Sequence, residues 1–179
     1  MEESALKLDT TVISLFDSIK IRDKKVSYEE INFPKLIQSV TERLAHYPRF
    51  KRVNFKVSCS ENIHYRSDKE IVHSLFQNLI ENSIKYQDFS KEKSYVNIKI
   101  QKANDGFEII LKDNGVGIKK QVQPHIFNMF YRGNENSKGA GLGLYIVKCG
   151  IEKLKGKISL ESEHGMGCCF KIYLPHSES

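Results

Sequence analysis

Two strand-forming runs, YVNIKIQKA at 95–103 and FEIILK at 107–112, are separated only by Asn104, Asp105 and Gly106. So short a polar, glycine-containing connection between such runs predicts an antiparallel hairpin, and this hairpin constrains the fold more than any other segment. A run at 53–58 (VNFKVS) alternates apolar and polar residues and reads as another strand, and strands at 157–162 and 168–174 close the chain. Helices intervene. One is expected from Asn32, which can cap it with Pro34 in its first turn, to about Tyr47; another runs from an Asp68 cap to about Tyr86. A short helix near 120–130 and a helix over about 142–155, closed by Lys153, Lys155 and Gly156, complete the set. With 179 residues, 40% of them hydrophobic, the chain can build one sizeable core. The expected architecture is α+β: a two-layer α/β sandwich with a mixed, mostly antiparallel sheet and helices on one face.

At the N-terminus, Ala5, Leu8, Val12, Leu15 and Ile19 alternate spacings of three and four, the pattern of a helix that packs against other helices. Residues 22–31 are charged and read as a linker, with a short strand at its end. No apolar run approaches the roughly 20 residues that cross a bilayer, so a cytoplasmic location is expected, with any membrane attachment outside this chain. Cys59, Cys149, Cys168 and Cys169 form no CxxC pair and no zinc spacing, which fits a reducing compartment. The net charge of +6 is spread among 22 acidic residues, which argues against a nucleic-acid partner.

Three segments carry chemistry. In NLIENSIKYQ (78–87) and the turn before it, Val72, Phe76, Leu79, Ile80 and Ile84 supply the apolar helix face, while Asn78, Asn82, Lys85 and Tyr86 fall on a neighbouring stripe. Asparagine is a mediocre helix former, so two on one face point to a purpose beyond helix formation. Carboxamide oxygens can hold Mg²⁺, and a lysine one turn on can meet phosphates. A solvated polar face is the plainer explanation for this segment alone. In DNGVGI (113–118) the glycines let the backbone approach a flat ligand, and the carboxylate can accept a hydrogen bond from an exocyclic amine such as that of adenine. By itself this is also an ordinary Asp-Asn-Gly turn. GAGLGL (139–144) opens into an apolar helix whose N-terminal amides can cradle phosphate oxygens. It satisfies neither the dinucleotide fingerprint nor a GxxxxGK[ST] phosphate loop.

Taken in order, these segments resemble the ATP-binding catalytic domain of a sensor histidine kinase, in the superfamily shared with gyrase, the ninety-kilodalton heat-shock chaperone and MutL-type proteins. The resemblance covers roughly residues 30–175 and implies the Bergerat-type ATP-binding fold. NLIENSIKYQ is similar to the family's asparagine box and DNGVGI to its first glycine box. IFNMFYRG is similar to its phenylalanine box, GAGLGLYIVK to its second glycine box, and ESEHGMGCCFKIYLP to its closing Gly-x-Gly and terminal strand. The resemblance implies Asn82 as principal Mg²⁺ ligand with Asn78 nearby, Lys85 on phosphate, Tyr86 beside the base and Asp113 on the adenine amine. It also implies a base pocket shaped by Gly115, Gly117 and Ile118, and a phosphate end lined by Gly139, Gly141, Leu142, Gly143 and Leu144. Phe127 and Phe130 would anchor a lid from Tyr131 to Lys138; core packing at i, i+3 explains the two phenylalanines equally well.

The sequence departs from this pattern in two informative places. Cys168 follows the last Gly-x-Gly, at Gly165 and Gly167, where the family commonly has a hydroxyl residue, and a thiol is a weak acceptor. Asn78 stands where the hydrolysing members of the superfamily place a glutamate as general base, which favours transfer to an acceptor over ATP hydrolysis. Glu81, four residues before Lys85, reads as its helix ion-pair partner. None of the six histidines has the context of a phosphoacceptor; His73 lies on a helix in line with Lys69 and Gln77. The expectation is therefore a fragment: residues 1–22 as the end of a dimerising helix, 23–31 as linker and 32–176 as the catalytic domain. The missing hairpin would carry the acceptor histidine, the whole protein would be a homodimer, and a response-regulator receiver would take the phosphoryl group. A serine kinase of the anti-sigma type, a MutL- or chaperone-like ATPase and a nucleotide-sensing module without transfer are the alternatives.

Overall fold

The computed structural model describes residues 12, 15–16, 19–60, 63–133 and 140–176. Its main sheet has five strands: β2 (Val53–Cys59), β4 (Ser94–Ala103), β5 (Gly106–Asp113), β6 (Lys157–Glu163) and β7 (Gly167–Pro175). They lie in the order β2-β4-β5-β7-β6; β2 runs parallel to β4 and every other neighbour pair is antiparallel. The hairpin forms as the sequence indicates, with Ala103 paired to Gly106.

Strand periodicity builds the inner face. Ile98, Leu111, Phe170 and Leu160 form one cross-strand row, and Ile100, Ile109, Ile172 and Ile158 form the next. Three helices, α1 (Phe33–Leu44), α2 (Lys69–Lys85) and α3 (Gly143–Lys153), bury their apolar sides in the same core cluster as these rows. The sandwich is thus the α+β architecture expected from the sequence. Both proposed caps are in place: Asn32 Oδ1 accepts from Lys35 N at 3.0 Å and Asp68 Oδ1 from Ile71 N at 3.1 Å. Helix α2 is buried over a wider arc than its amphipathic stripe suggests, taking in Ile71, Leu75 and Ser83, because Gly150 of α3 packs directly on Leu75 and Ile71. The Phe33 ring stacks on Tyr65 at 5.7 Å and meets Phe76 and Phe107, joining helix to sheet.

Three expectations are corrected, and a fourth, the short strand ending the linker, is borne out with a partner that was not foreseen. The helix near 120–130 is only a 3₁₀ turn, Gln123–His125, since Pro124 supplies no N–H and its ring disfavours a regular helix through this segment. Helix α1 ends at Leu44, short of Tyr47. The last helix closes through Lys155 in a left-handed conformation (φ 56°), while Gly156 is needed for contact, since a Cβ there would overlap Tyr173 O. The linker strand β1 (Glu29–Glu30) pairs with an unforeseen two-residue strand, β3 (Arg66–Ser67), outside the main sheet.

Residues 12, 15–16 and 19–23 are helical. Leu15 and Ile21 pack with Leu142 and Ile146 at the start of α3, whereas Val12, Phe16 and Ile19 are exposed. Ala5 and Leu8 of the apolar repeat lie outside the described residues. The segment that follows is pinned to the start of α2, where Lys24 Nζ reaches Asp68 Oδ1 at 3.0 Å and Ser27 N donates to Asp68 Oδ2.

Candidate functional site

Helix α2 presents the asparagines to the first turn of α3. Asn78 Nδ2 donates to Ser74 O at 2.9 Å, which turns its Oδ1 toward Gly143; a Cβ added to Gly143 would lie 3.0 Å from that oxygen and 3.8 Å from Asn82 Nδ2. The missing side chain at Gly143 is what lets the α3 N-terminus sit over the stripe. Among the described residues no side chain caps α3, which leaves its leading amides open to a ligand. Among the described residues no hydrogen bond engages the Asn82 carboxamide. Two carboxamides beside uncapped helix amides fit a phosphate-bound Mg²⁺, to which Asn78 and Asn82 would offer carboxamide oxygens.

Lys85 stands elsewhere. Its ammonium is paired with Glu81, the helix partner expected from spacing, and lies 6.0 Å from the centre of the Tyr47 ring. Tyr47 Oη donates to the same carboxylate at 2.6 Å. Contact with a phosphate would require Lys85 to leave Glu81. Tyr86 caps α2 and is 40% exposed at the rim.

The far end of the cleft is built on Asp113. Strand β5 turns Phe107, Ile109 and Leu111 inward, and the same alternation carries Asp113 onto the buried face beside Val96. Burial pushes its carboxyl above the usual carboxylate range, opposed by the N–H groups of Gly115 and Cys168, the Ser83 hydroxyl and the charge of Lys91. Its Oδ1 accepts from Gly115 N at 2.8 Å and Cys168 N at 3.2 Å, and the Ser83 hydroxyl lies 3.2 Å from Oδ2. The walls are three backbones in close contact. Val116 N donates to Tyr86 O at 3.0 Å and Gly165 N to Val116 O at 2.7 Å. Gly117 has φ 65° and lies directly on the Glu163 carbonyl.

Cys168 costs the pocket less than its side chain suggests, because its contact with Asp113 is made by the main chain. Burial first, and then the Asp113 charge, push its thiol up to about 12, so it remains protonated. Its partner is Ser162 on β6, whose Oγ is 3.4 Å from Cys168 Sγ, donates to Gly167 O at 2.7 Å and accepts from Ile118 N at 2.8 Å. A hydroxyl therefore stands beside the thiol, supplied from the neighbouring strand.

The other candidates fall as follows. Gly141 lies against the Phe130–Tyr131 backbone; Leu142 is buried with Ile21 and Ile146, and Leu144 packs on the main core. Phe127 also packs on the core, but Phe130 is 52% exposed with a left-handed backbone (φ 61°), so the two do not share a core role. Lys138 and Gly139 lie outside the described residues. Sequence reasoning missed Ser83, Ser162 and Lys91. For Ser83 a signal existed: it interrupts the apolar arc of α2 between Leu79 and Ile84. Replacing it with alanine removes a donor to a carboxylate, worth about 1 kcal/mol. Ser83→Ala is expected to weaken binding of the ATP analogue AMPPNP roughly fivefold in a calorimetric titration, with thermal stability maintained by alanine's helix preference.

Residues 67–178 match the family described as histidine kinase-, DNA gyrase B-, and HSP90-like ATPase. The sensor histidine kinase AtsR of Burkholderia thailandensis is 29% identical over 182 residues, covering 98% of this chain but only 30% of AtsR. Among solved structures, full-length ShkA in complex with AMPPNP superposes with a TM-score of 0.82 at 20% identity, covering 99% of this chain and 37% of that one. The mycobacterial sensor histidine kinase MprB gives a TM-score of 0.70 at 23% identity, over 86% of this chain and all of that one. No helix among the described residues is long and apolar enough to cross a membrane.

Proposed function

The chain belongs to the histidine kinase-, DNA gyrase B- and HSP90-like ATPases, and from that premise we propose that it is the ATP-binding catalytic domain of a sensor histidine kinase. It transfers the γ-phosphoryl group of ATP to a histidine on a dimerising helix of the whole protein, from which a response-regulator receiver takes it. The observation that carries this reading is the pairing of two half-sites on one α2-anchored cleft. Asn78 and Asn82 face the uncapped start of α3, and Asp113 waits at the far end with its three donors.

In this reading Asp113 accepts from the adenine amine, and Gly115, Gly117 and Ile118 shape the slot around the base. Asn82, with Asn78, holds Mg²⁺ through carboxamide oxygen; when bound, the ion neutralises charge on the phosphates. The amides at Gly143 and Leu144, at the positive end of the helix dipole, take phosphate oxygens and orient the terminal phosphoryl group for in-line attack. Asn78 cannot act as a general base for water, and Glu81 is held by Lys85 and Tyr47 on a different side of the helix. Positioning of an incoming imidazole, rather than activation of water, is the chemistry left to these residues. AtsR, a sensor histidine kinase, supports the same reading, and 1–22 as the end of a dimerising helix, 23–31 as linker and 32–176 as catalytic domain accord with it.

The test uses ATP itself. With Mg²⁺, the chain is expected to bind ATP yet release ADP no faster than buffer. Given the full-length protein's dimerising hairpin, it should form an acid-labile, alkali-stable phosphohistidine. Brisk ADP release by the isolated chain would replace the kinase reading with an ATPase one.

A further inference from the structure

Lys91 lies in the loop between α2 and β4, outside every motif that marks the site. Its ammonium has three protons, and three main-chain carbonyls surround it: Gly165 O at 2.6 Å, Asn114 O at 2.8 Å and Gly115 O at 3.4 Å. Two of these belong to the turn after Asp113 and the third to the turn between β6 and β7, so the ammonium spans the two loops that enclose the base slot. The plainer role for a surface lysine is an ion pair with Asp88, but Asp88 Oδ2 stands 3.6 Å away, farther than any of the three carbonyls, while Ser90 N at 3.0 Å and Ser90 Oγ at 2.6 Å hold the other oxygen, Oδ1. Charge-assisted bonds to the carbonyls are the shorter and dominant contacts.

The lysine is also delivered to this point. Phe89 lies beneath the guanidinium of Arg49 at 4.2 Å, and Gln87 donates to Arg49 O and Ile84 O, fixing the start of the loop. At its end the Asn114 carboxamide accepts from Tyr95 N and donates to Lys93 O, both at 2.8 Å. A long side chain held at both ends of its loop loses less rotamer freedom on closing the cage.

We propose that Lys91 is a positioning residue of the nucleotide-base pocket, a tethered cation that fixes the turn after Asp113 against the β6–β7 turn at the separation the adenine ring requires. This rests on the nucleotide reading given above. Without the ammonium, three carbonyls converge with no counter-charge, and the turns are left to the Gly165–Val116 and Cys168–Asp113 bonds.

The test compares wild type with Lys91→Ala. AMPPNP affinity, measured with Mg²⁺, is expected to fall about tenfold in the variant. Ethylammonium chloride should restore at least half of the loss, whereas tetramethylammonium chloride at equal ionic strength, which has no N–H, should restore none. Without nucleotide, hydrogen exchange at the Val116 and Gly165 amides should quicken while Ile98 and Ile109 keep their protection, separating a local clasp from global unfolding. Affinity within twofold of wild type, or a loss to which both salts are indifferent, overturns the proposal. If wild type itself binds no AMPPNP, the nucleotide reading falls and the proposal falls with it; unchanged affinity in Lys91→Ala sinks the proposal alone.

Discussion

Asn82→Ala is expected to lower the affinity for Mg²⁺-AMPPNP by about 100-fold, or roughly 2.7 kcal/mol, while leaving affinity measured in EDTA nearly unchanged. The asparagine side chain is half-buried, and no hydrogen bond to a described residue depends on it. Its loss therefore leaves no orphaned partner among the described residues. Alanine is the better helix former by about 0.5 kcal/mol, so the melting temperature should hold or rise slightly. Loss of binding together with retained stability is the signature of a ligand-directed residue; the plain alternative, a solvated polar helix face, predicts that neither quantity moves. Asn78→Ala should fall between the two, because its amide is anchored on Ser74 O and only its oxygen faces the cleft. Calorimetry with and without Mg²⁺ reads both variants, and Mg²⁺-dependent affinity within threefold of wild type in Asn82→Ala would remove the asparagine stripe from the site.

Features of the fold that depend on local spacing were legible in the sequence, and those that depend on distant pairing were not. Asn32 and Asp68 announce their helices because capping is decided within three residues. The β4–β5 hairpin follows from its turn, and the inward placement of Asp113 from a strict period of two. By contrast, β1 and β3 are two residues each and carry no periodicity, and β2 meets its parallel neighbour β4 only across the intervening helix α2, with no tight turn to announce the pair. Within the site, the motifs name Asn82 and Asp113 but not their supports. Ser162 acts across a strand pair, and Lys91 reaches a carbonyl 74 positions away, which spacing along a chain cannot encode. Lys85 illustrates the converse: spacing offered it both a phosphate and Glu81, and its ammonium is paired with the carboxylate four residues back.

Gly117→Ala should be the most damaging small substitution in the base slot, and Gly165→Ala is its control. Both glycines have left-handed backbones, φ 65° and φ 83°, so each alanine meets a conformational penalty of about 1 kcal/mol. Their surroundings differ completely. A Cβ at Gly165 has nothing within 4 Å, whereas one at Gly117 would overlap Glu163 O and lie 2.8 Å from Glu163 C, where only movement of β6 can make room. Displacing that strand end also disturbs Ser162, and through it Ile118 N and the Cys168 thiol. The expected cost at Gly117 is about 3 kcal/mol or more, a fall of roughly 10 °C in melting temperature for a domain of this size, against about 3 °C for Gly165→Ala. Nucleotide binding should disappear in the first variant even well below its melting temperature, and persist in the second. Equal melting shifts for the two would mean that the Gly117–Glu163 contact does not set the slot, since their backbone penalties are shared and only the steric contact divides them.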